Sequence, residues 1–333
     1  MSPVELSFGG GAFMSEEIFG PVEKMKEAIS ILQAEGIKYI DTAALYGESE
    51  KFLGDLGASK THTIDTKYPG GFAGTSSKEK IIASANESLK KLQTNQVDVF
   101  YLHSPDRQVP FEVQVNAINT LYTEGKIKRF GISNFLAPEV EELMQISKEK
   151  NWIAPSVYQG NYSAVARRAE SELLPVLRKH GIQFYAYSPI AGGFLTKSVE
   201  QLTKGAGGRW DPSSSIGGLY HELYHKPKML EGLKLWEEIS VQTGIPKVEL
   251  AYRWVIYNSA LRGEYGDRVI FGARNVEQLR ETLGLAKRGP LSADVLQRVE
   301  EVWRIVEAEA PLDNYNDGLL KIQEKAVKSD GPK

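Results

Sequence analysis

Along this chain two hydrophobic periods take turns, and the switch between them recurs eight times. Short apolar runs with period-two character occupy residues 4–8, 39–43, 62–67, 97–103, 127–133, 156–159, 183–187 and 268–272, and each predicts a strand. Helical spacing fills most of the intervals. Residues 22–35 place Met25, Ala28, Ile29 and Leu32 on one face and stop at Gly36. Further helices are predicted over 50–56, from the N-cap Ser77 to Leu92, over 112–124, over 139–150 behind Pro138, and over 170–180 before Gly181. The last three cover 248–257, 276–286 behind a capping Asn275, and 293–309.

Strands that alternate with helices predict parallel pairing with helical crossovers. Eight such units without a composition break predict a closed (β/α) barrel of the TIM type over residues 1–311, followed by a polar, loosely held tail over 312–333. The competing architecture is an open doubly wound sheet, but its G-x-G-x-x-G fingerprint is absent from the chain. One stretch breaks the rhythm. Residues 191–227, after the seventh strand, are rich in Gly and Ser with little helical pattern, which predicts a functional lid or a disordered insert.

Composition narrows the function classes. With 333 residues, 41% of them hydrophobic and 25% charged, the chain can bury a substantial core. A net charge of −3 with both signs interspersed argues against a nucleic-acid or polybasic membrane surface. The absence of cysteine excludes disulfides, thiolate metal sites and a cysteine nucleophile. Neither a basic leader nor an apolar run of membrane-spanning length is present, so a cytoplasmic protein is expected.

The candidate chemistry lies where strands end. Asp41 closes the second run and Tyr46 follows in the next loop; Lys67 closes the third run and His103 the fourth. Barrels carry their chemistry at the C-terminal strand ends, so these four groups are expected to face one site. A lone Asp, Tyr or His at such a position is ordinarily a cap, an ion pair or packing. Four on three successive strand ends form a proton-delivery set. An ammonium beside a phenol favours the phenolate and makes the phenol a better acid, an acid holds the ammonium, and an imidazole polarises a carbonyl as a hydride arrives.

These residues and their surroundings carry a resemblance. Asp41-Thr42-Ala43 with Tyr46-Gly47, Lys67, and Leu102-His103-Ser104-Pro105-Asp106 are similar to the Asp, Tyr, Lys and His tetrad of the aldo-keto reductases. The runs Gly131-Ile132-Ser133-Asn134-Phe135, Val157-Tyr158-Gln159-Gly160 and Phe184-Tyr185-Ala186-Tyr187-Ser188-Pro189-Ile190-Ala191-Gly192-Gly193 extend it over nearly the whole chain and resemble the aflatoxin-aldehyde reductase branch. The resemblance implies NADPH, with Tyr46 as proton donor, Lys67 and Asp41 tuning it, and His103 orienting the carbonyl. It places Asp41, Ser133, Asn134 and Gln159 near the nicotinamide, Tyr187 against its ring, and Ser188, Pro189, Ile190, Ala191, Gly192 and Gly193 around the pyrophosphate. Arg209, Gly272, Arg274 and Gln278 fall to the rest of the cofactor, with the arginines suited to its 2′-phosphate. The branch is often dimeric, so a homodimer is expected too.

There is one departure. Animal members of the branch carry a lid arginine that grips an acidic substrate tail, whereas the matching stretch here, Leu219 to His225, has none. Trp210, Tyr220 and Tyr224 are read instead as a lining for an aromatic or apolar carbonyl compound, with lid packing as the alternative. Two rivals remain. His221-Glu222-Leu223-Tyr224-His225 spells H-E-x-x-H, the zinc-peptidase motif. It follows Gly217-Gly218 and precedes Pro227, so no stable helix is expected beneath it, and no metal is assigned. The second rival is a cofactor-sensing regulatory subunit of the same fold with little turnover.

Overall fold

The computed structural model describes residues 4–204, 210–211 and 213–329. Eight strands close into one barrel in sequence order: β1 (Glu5–Gly9), β2 (Tyr39–Asp41), β3 (Thr63–Tyr68), β4 (Val97–Leu102), β5 (Ile127–Ser133), β6 (Pro155–Asn161), β7 (Gln183–Tyr187) and β8 (Arg268–Phe271). Every neighbouring pair is parallel, including β8 with β1. Parallel strands need crossovers, and helices such as Val22–Ala34, Lys78–Lys91, Phe111–Thr123 and Ala137–Lys150 supply them.

Each crossover helix buries one stripe against the outer face of the strands. Met25, Ala28 and Leu32 are fully buried, as are Val115, Ile118 and Leu121 on a later helix. The expected caps are present: Ser77 Oγ accepts from Lys80 N at 3.2 Å, and Asn275 Oδ1 from Gln278 N at 2.8 Å. Inside the barrel, Val99, Tyr101, Val157, Tyr185 and Ile270 form a separate apolar plug. Beneath it the Arg268 guanidinium lies 3.2 Å from the Tyr39 ring centroid and 4.6 Å from that of Tyr185. Side chains thus fill the lumen, and the open end is the C-terminal rim.

Four expectations need correction. The stretch read as having little helical pattern contains helices Val199–Thr203 and Ser215–Tyr224. The long helix Pro227–Thr243 was not anticipated at all. Met229, Leu233, Trp236 and Ile239 give it a buried stripe, and Pro227, read as a stop, is its first residue. The helix expected over 170–180 is two short ones, Ala169–Glu172 and Leu174–Lys179, because Pro175 cannot donate to a continuous ladder. The tail after Pro311 begins packed rather than loose, while residues 321–328 are mostly exposed. Leu312, Asp313 and Tyr315 are buried, and Leu320–Ser329 is helical. Among the described residues, no helix is long and apolar enough to cross a membrane.

The plug has no spare room at Gly131 on β5. A methyl group there would overlap the Tyr101 ring and lie 2.5 Å from Val99 Cγ1. Gly131→Ala is therefore expected to cost about 1–3 kcal/mol of stability through overpacking. A lowered urea midpoint with an unchanged m-value is the measurement that checks this.

Candidate active site

The C-terminal rim gathers the four groups that the strand ends pointed to. Asp41 is the last residue of β2 and Lys67 the fifth of β3, and both side chains enter the lumen. Lys67 is completely buried, and its Nζ donates to Asp41 Oδ1, Asp41 Oδ2 and Thr42 O, each at 2.7 Å. Burial pulls the ammonium pKa down, but the charge of Asp41, then that of Tyr46, then the hydrogen bond to Asp41 outweigh it and hold Lys67 above its ordinary value. Lys67 is therefore charged at neutral pH. Gln159 Nε2, from β6 across the barrel mouth, donates to Asp41 Oδ1 at 2.8 Å and completes the cradle.

Tyr46 stands above this pair. Lys67 Nζ is 5.2 Å from its ring centroid. The loop that carries it is braced from below: Thr42 Oγ1 and Ser49 Oγ are 2.8 Å apart, Ser49 Oγ donates to Gly10 O at 2.8 Å, and Thr66 Oγ1 donates to the buried Glu50 at 2.6 Å. The His103 ring meets the Tyr46 ring edge-on, with centroids 5.8 Å apart. Burial first, and the Lys67 charge second, push His103 well below the ordinary histidine value, so its imidazole is neutral at pH 7. Its buried Nδ1 has no hydrogen-bond partner. One step deeper, burial and the charges of Asp98 and Asp41 raise Asp65 to about 7. At neutral pH Asp65 thus carries roughly half a charge and competes little with Asp41 for the ammonium.

The amide-bearing strand ends adjoin. Asn134 Nδ2 donates to His103 O at 2.8 Å and to Ser133 Oγ at 3.1 Å, and its Oδ1 accepts from Tyr187 OH at 3.0 Å. After β7 the chain turns sharply, and Ser188, Ala191, Gly192 and Gly193 all adopt positive φ. At Gly192 a side chain would overlap the Tyr220 ring, so this cradle accepts only glycine there. Arg274 is exposed beside the N-terminus of helix Val276–Ala286, and Gln278 Oε1 accepts from its backbone N at 2.8 Å. Burial first, and then the Arg274 charge, lower the Lys197 pKa. Gly272 is exposed just beyond β8, and Arg209 lies outside the described residues.

The three aromatic lid residues do not line an opening. Trp210, Tyr220 and Tyr224 are buried, with the Trp210 and Tyr220 centroids 5.7 Å apart, and Tyr224 stacks on Phe194. Trp210 Nε1 donates to Gly192 O at 3.1 Å. The rings beside His103 are instead Phe72, at 5.2 Å, and behind it Tyr315, 5.0 Å from Phe72. Sequence reasoning missed Phe72, Tyr315 and Lys197. Each lies on a connection whose position is fixed by distant contacts, and no local pattern marks it. Of the H-E-x-x-H residues, His221 to Tyr224 fall on a helix, contrary to expectation, but His225 lies just past its end, and no group of three His, Cys, Asp or Glu suited to a metal occurs among the described residues.

Comparison with known proteins agrees with the barrel fold. The family model described as Aldo/keto reductase family matches residues 5–304. Oxidoreductase sirO of Leptosphaeria maculans is 38% identical over 309 residues, covering 92% of this chain and 94% of the relative. Aldo-keto reductase family 7 member A3 and aflatoxin B1 aldehyde reductase member 4, both of Homo sapiens, are each 37% identical over 291 residues, covering 83% of this chain and 87% of the relative.

The depressed His103 pKa has a measurable consequence. A proton accepted readily by the unfolded chain is refused by the native site, so this group's contribution to stability is complete above about pH 6.5 and falls away below it. In a nitrogen-detected NMR titration, the His103 imidazole, assigned by the signal that His103→Gln removes, is expected to protonate only well below the ordinary histidine midpoint. A midpoint for His103 at or above 6.5 overturns the assignment.

Proposed function

Because the chain belongs to the aldo/keto reductase family, we propose that it reduces aldehydes and ketones to alcohols with NADPH, Tyr46 giving the proton. One observation carries the reading: a fully buried Lys67–Asp41 pair directly beneath a tyrosine and a neutral histidine at the barrel mouth. When bound, the reduced nicotinamide supplies the hydride.

The residues present fit that group. Gln159 gives its amide nitrogen to Asp41, which leaves its carbonyl oxygen to accept from a carboxamide, and Asn134 Oδ1 retains a lone pair beside the Tyr187 hydroxyl. The glycine cradle after β7 gives a pyrophosphate close access to backbone. Arg274 and Lys197 are two cations whose charges would suit a 2′-phosphate, and this supports the reading of NADPH over NADH. Tyr46 donates its hydroxyl proton to the carbonyl oxygen as charge develops there, and the Lys67 charge stabilises the phenolate left behind. Asp41 fixes Lys67 in position. A neutral His103 keeps a ring N–H to offer the same oxygen, because the tautomer protonated on Nε2 leaves only a lone pair orphaned at Nδ1.

Phe72 and Tyr315 beside His103 favour an aromatic or apolar carbonyl substrate. The names of relatives that reduce aflatoxin B1 aldehyde fit the same class. A cytoplasmic homodimer remains part of the proposal through the family resemblance.

Two measurements test it. Tyr46→Phe is expected to lower kcat for a simple aromatic aldehyde by about 10²–10⁴-fold while leaving NADPH binding, read by protein fluorescence quenching, unchanged. Turnover equal to the parent would remove Tyr46 from the mechanism, and a parent with no turnover would favour the cofactor-sensing reading. Arg274→Ala should raise the KM for NADPH by about 10–100-fold, from the loss of a charge-assisted contact, with little change for NADH. An equal effect on both cofactors would place Arg274 away from the 2′-phosphate.

A further inference from the structure

The helix Ser215–Tyr224 has two unlike faces. Its inner face carries Tyr220, Leu223 and Tyr224, all buried against the lid. Its outer face carries His221, and one turn on His225 caps its end, with ring centroids 4.9 Å apart and planes tilted by 44°. Together with Gly218, Glu222, Lys226 and Lys325 these two histidines border a cavity of about 320 Å³. Nothing in the proposed reduction uses them.

We propose that His221 and His225 form a two-imidazole binding site for a first-row divalent cation of the zinc or nickel class, with water completing the coordination. His225 follows the helix as its C-cap and brings its ring beside that of His221. Two imidazoles sharing one tetrahedral ion through bonds of about 2.0–2.1 Å hold their centroids roughly 5 Å apart, which is the spacing found here.

A second observation points the same way. His221 Nε2 lies 3.3 Å from Trp210 O. A carbonyl only accepts, so Nε2 carries the hydrogen and the lone pair is on Nδ1. Metal-binding histidines are usually oriented in this manner, by giving the far N–H to a carbonyl or carboxylate.

Both neighbouring ammonium groups are engaged elsewhere, although only one of them is paired with an acid. Lys325 is paired with Glu222 at 2.6 Å, and Lys226 Nζ donates to Glu309 O at 3.1 Å. No third His, Asp or Glu joins the pair among the described residues, so the site is not of the zinc-peptidase type. Its effect is mechanical. An ion here fastens the last turn of the helix whose other face presses Tyr220 on Gly192, and so steadies the cover of residues 188–196.

The test uses the full, untagged chain, stripped with EDTA, dialysed and titrated calorimetrically with ZnCl₂ or NiCl₂. One ion per chain is expected, with a rise in Tm. His225→Ala, at an exposed position, and His221→Ala should each weaken binding by at least about tenfold and abolish the rise in Tm. His180→Ala, whose ring is paired with Glu141, should bind as the parent does. Circular dichroism in EDTA establishes that the variants fold, and His225→Ala alone decides the matter if His221→Ala does not. Absence of stoichiometric binding by the parent, or parent-like binding by His225→Ala, overturns the proposal.

Discussion

The ion pair between Lys67 and Asp41 is the constraint around which the rim is built. Removing both charges from water costs several kcal/mol per ion, and only close geometry with further hydrogen bonds offsets it. Here the offsets come from three strands. β2 gives the carboxylate, with the Thr42 carbonyl just past its end, β3 gives the ammonium, and β6 the Gln159 amide. β2 and β3 are neighbours, but β6 stands across the mouth, so only a closed barrel can bring Gln159 to Asp41. A pair of this kind is weak evidence for stability. Its placement under a tyrosine makes it a fixed positive charge where proton chemistry would need one.

The rest of the lumen serves that placement. The plug of Tyr101, Tyr185, Val99, Val157 and Ile270 separates the rim from the floor, so water does not reach Lys67 from below. On the floor, Arg268 is stacked between Tyr39 and Tyr185 and pairs loosely with Glu5 at 3.6 Å, while Arg129 pairs with Asp98 at 2.6 Å. These groups close the N-terminal end, Arg129 in a tight ion pair and Arg268 chiefly by stacking on rings. Their charges still reach upward: Asp98 raises the Asp65 pKa, while Arg268 and Arg129 lower it.

How much of this could be read beforehand depends on whether the signal is local. Residues 127–133 and 183–187 were recognisable as strands to the residue, because buried parallel strands are short apolar runs bounded by polar turns. Asp41, Lys67 and His103 were legible because strand ends in such a barrel converge. The lid helices were not. Gly217 and Gly218 read as breakers, yet Ser214 caps the helix by accepting from Gly217 N at 3.0 Å, and packing against Trp210 does the rest. Trp210, Tyr220 and Tyr224 looked like a pocket lining for a related reason. Aromatic content does not tell an open wall from a closed stack until the backbone is placed.

The same limit explains the C-terminal segment, whose polar composition hides what its side chains do. Asn134 adopts a left-handed conformation, φ +63°, which an asparagine tolerates but which persists only when its surroundings hold it. Its side chain is fixed by His103 O and Tyr187 OH, and its carbonyl accepts from Asn316 Nδ2 at 3.0 Å. Asn316 is itself held by Asp313, at 2.7 Å, and by Arg107, at 2.8 Å, while Asn314 N donates to the Tyr187 hydroxyl at 3.3 Å. Arg107 also clamps Glu139 at the start of the next helix. Residues 313–316 thus lock the backbone turn that orients both the His103 strand end and the amide expected to face the cofactor. They also carry Tyr315 to the wall behind Phe72. A segment that looks like solvent-facing tail in one dimension is, in three, the support that keeps the two halves of the site in register.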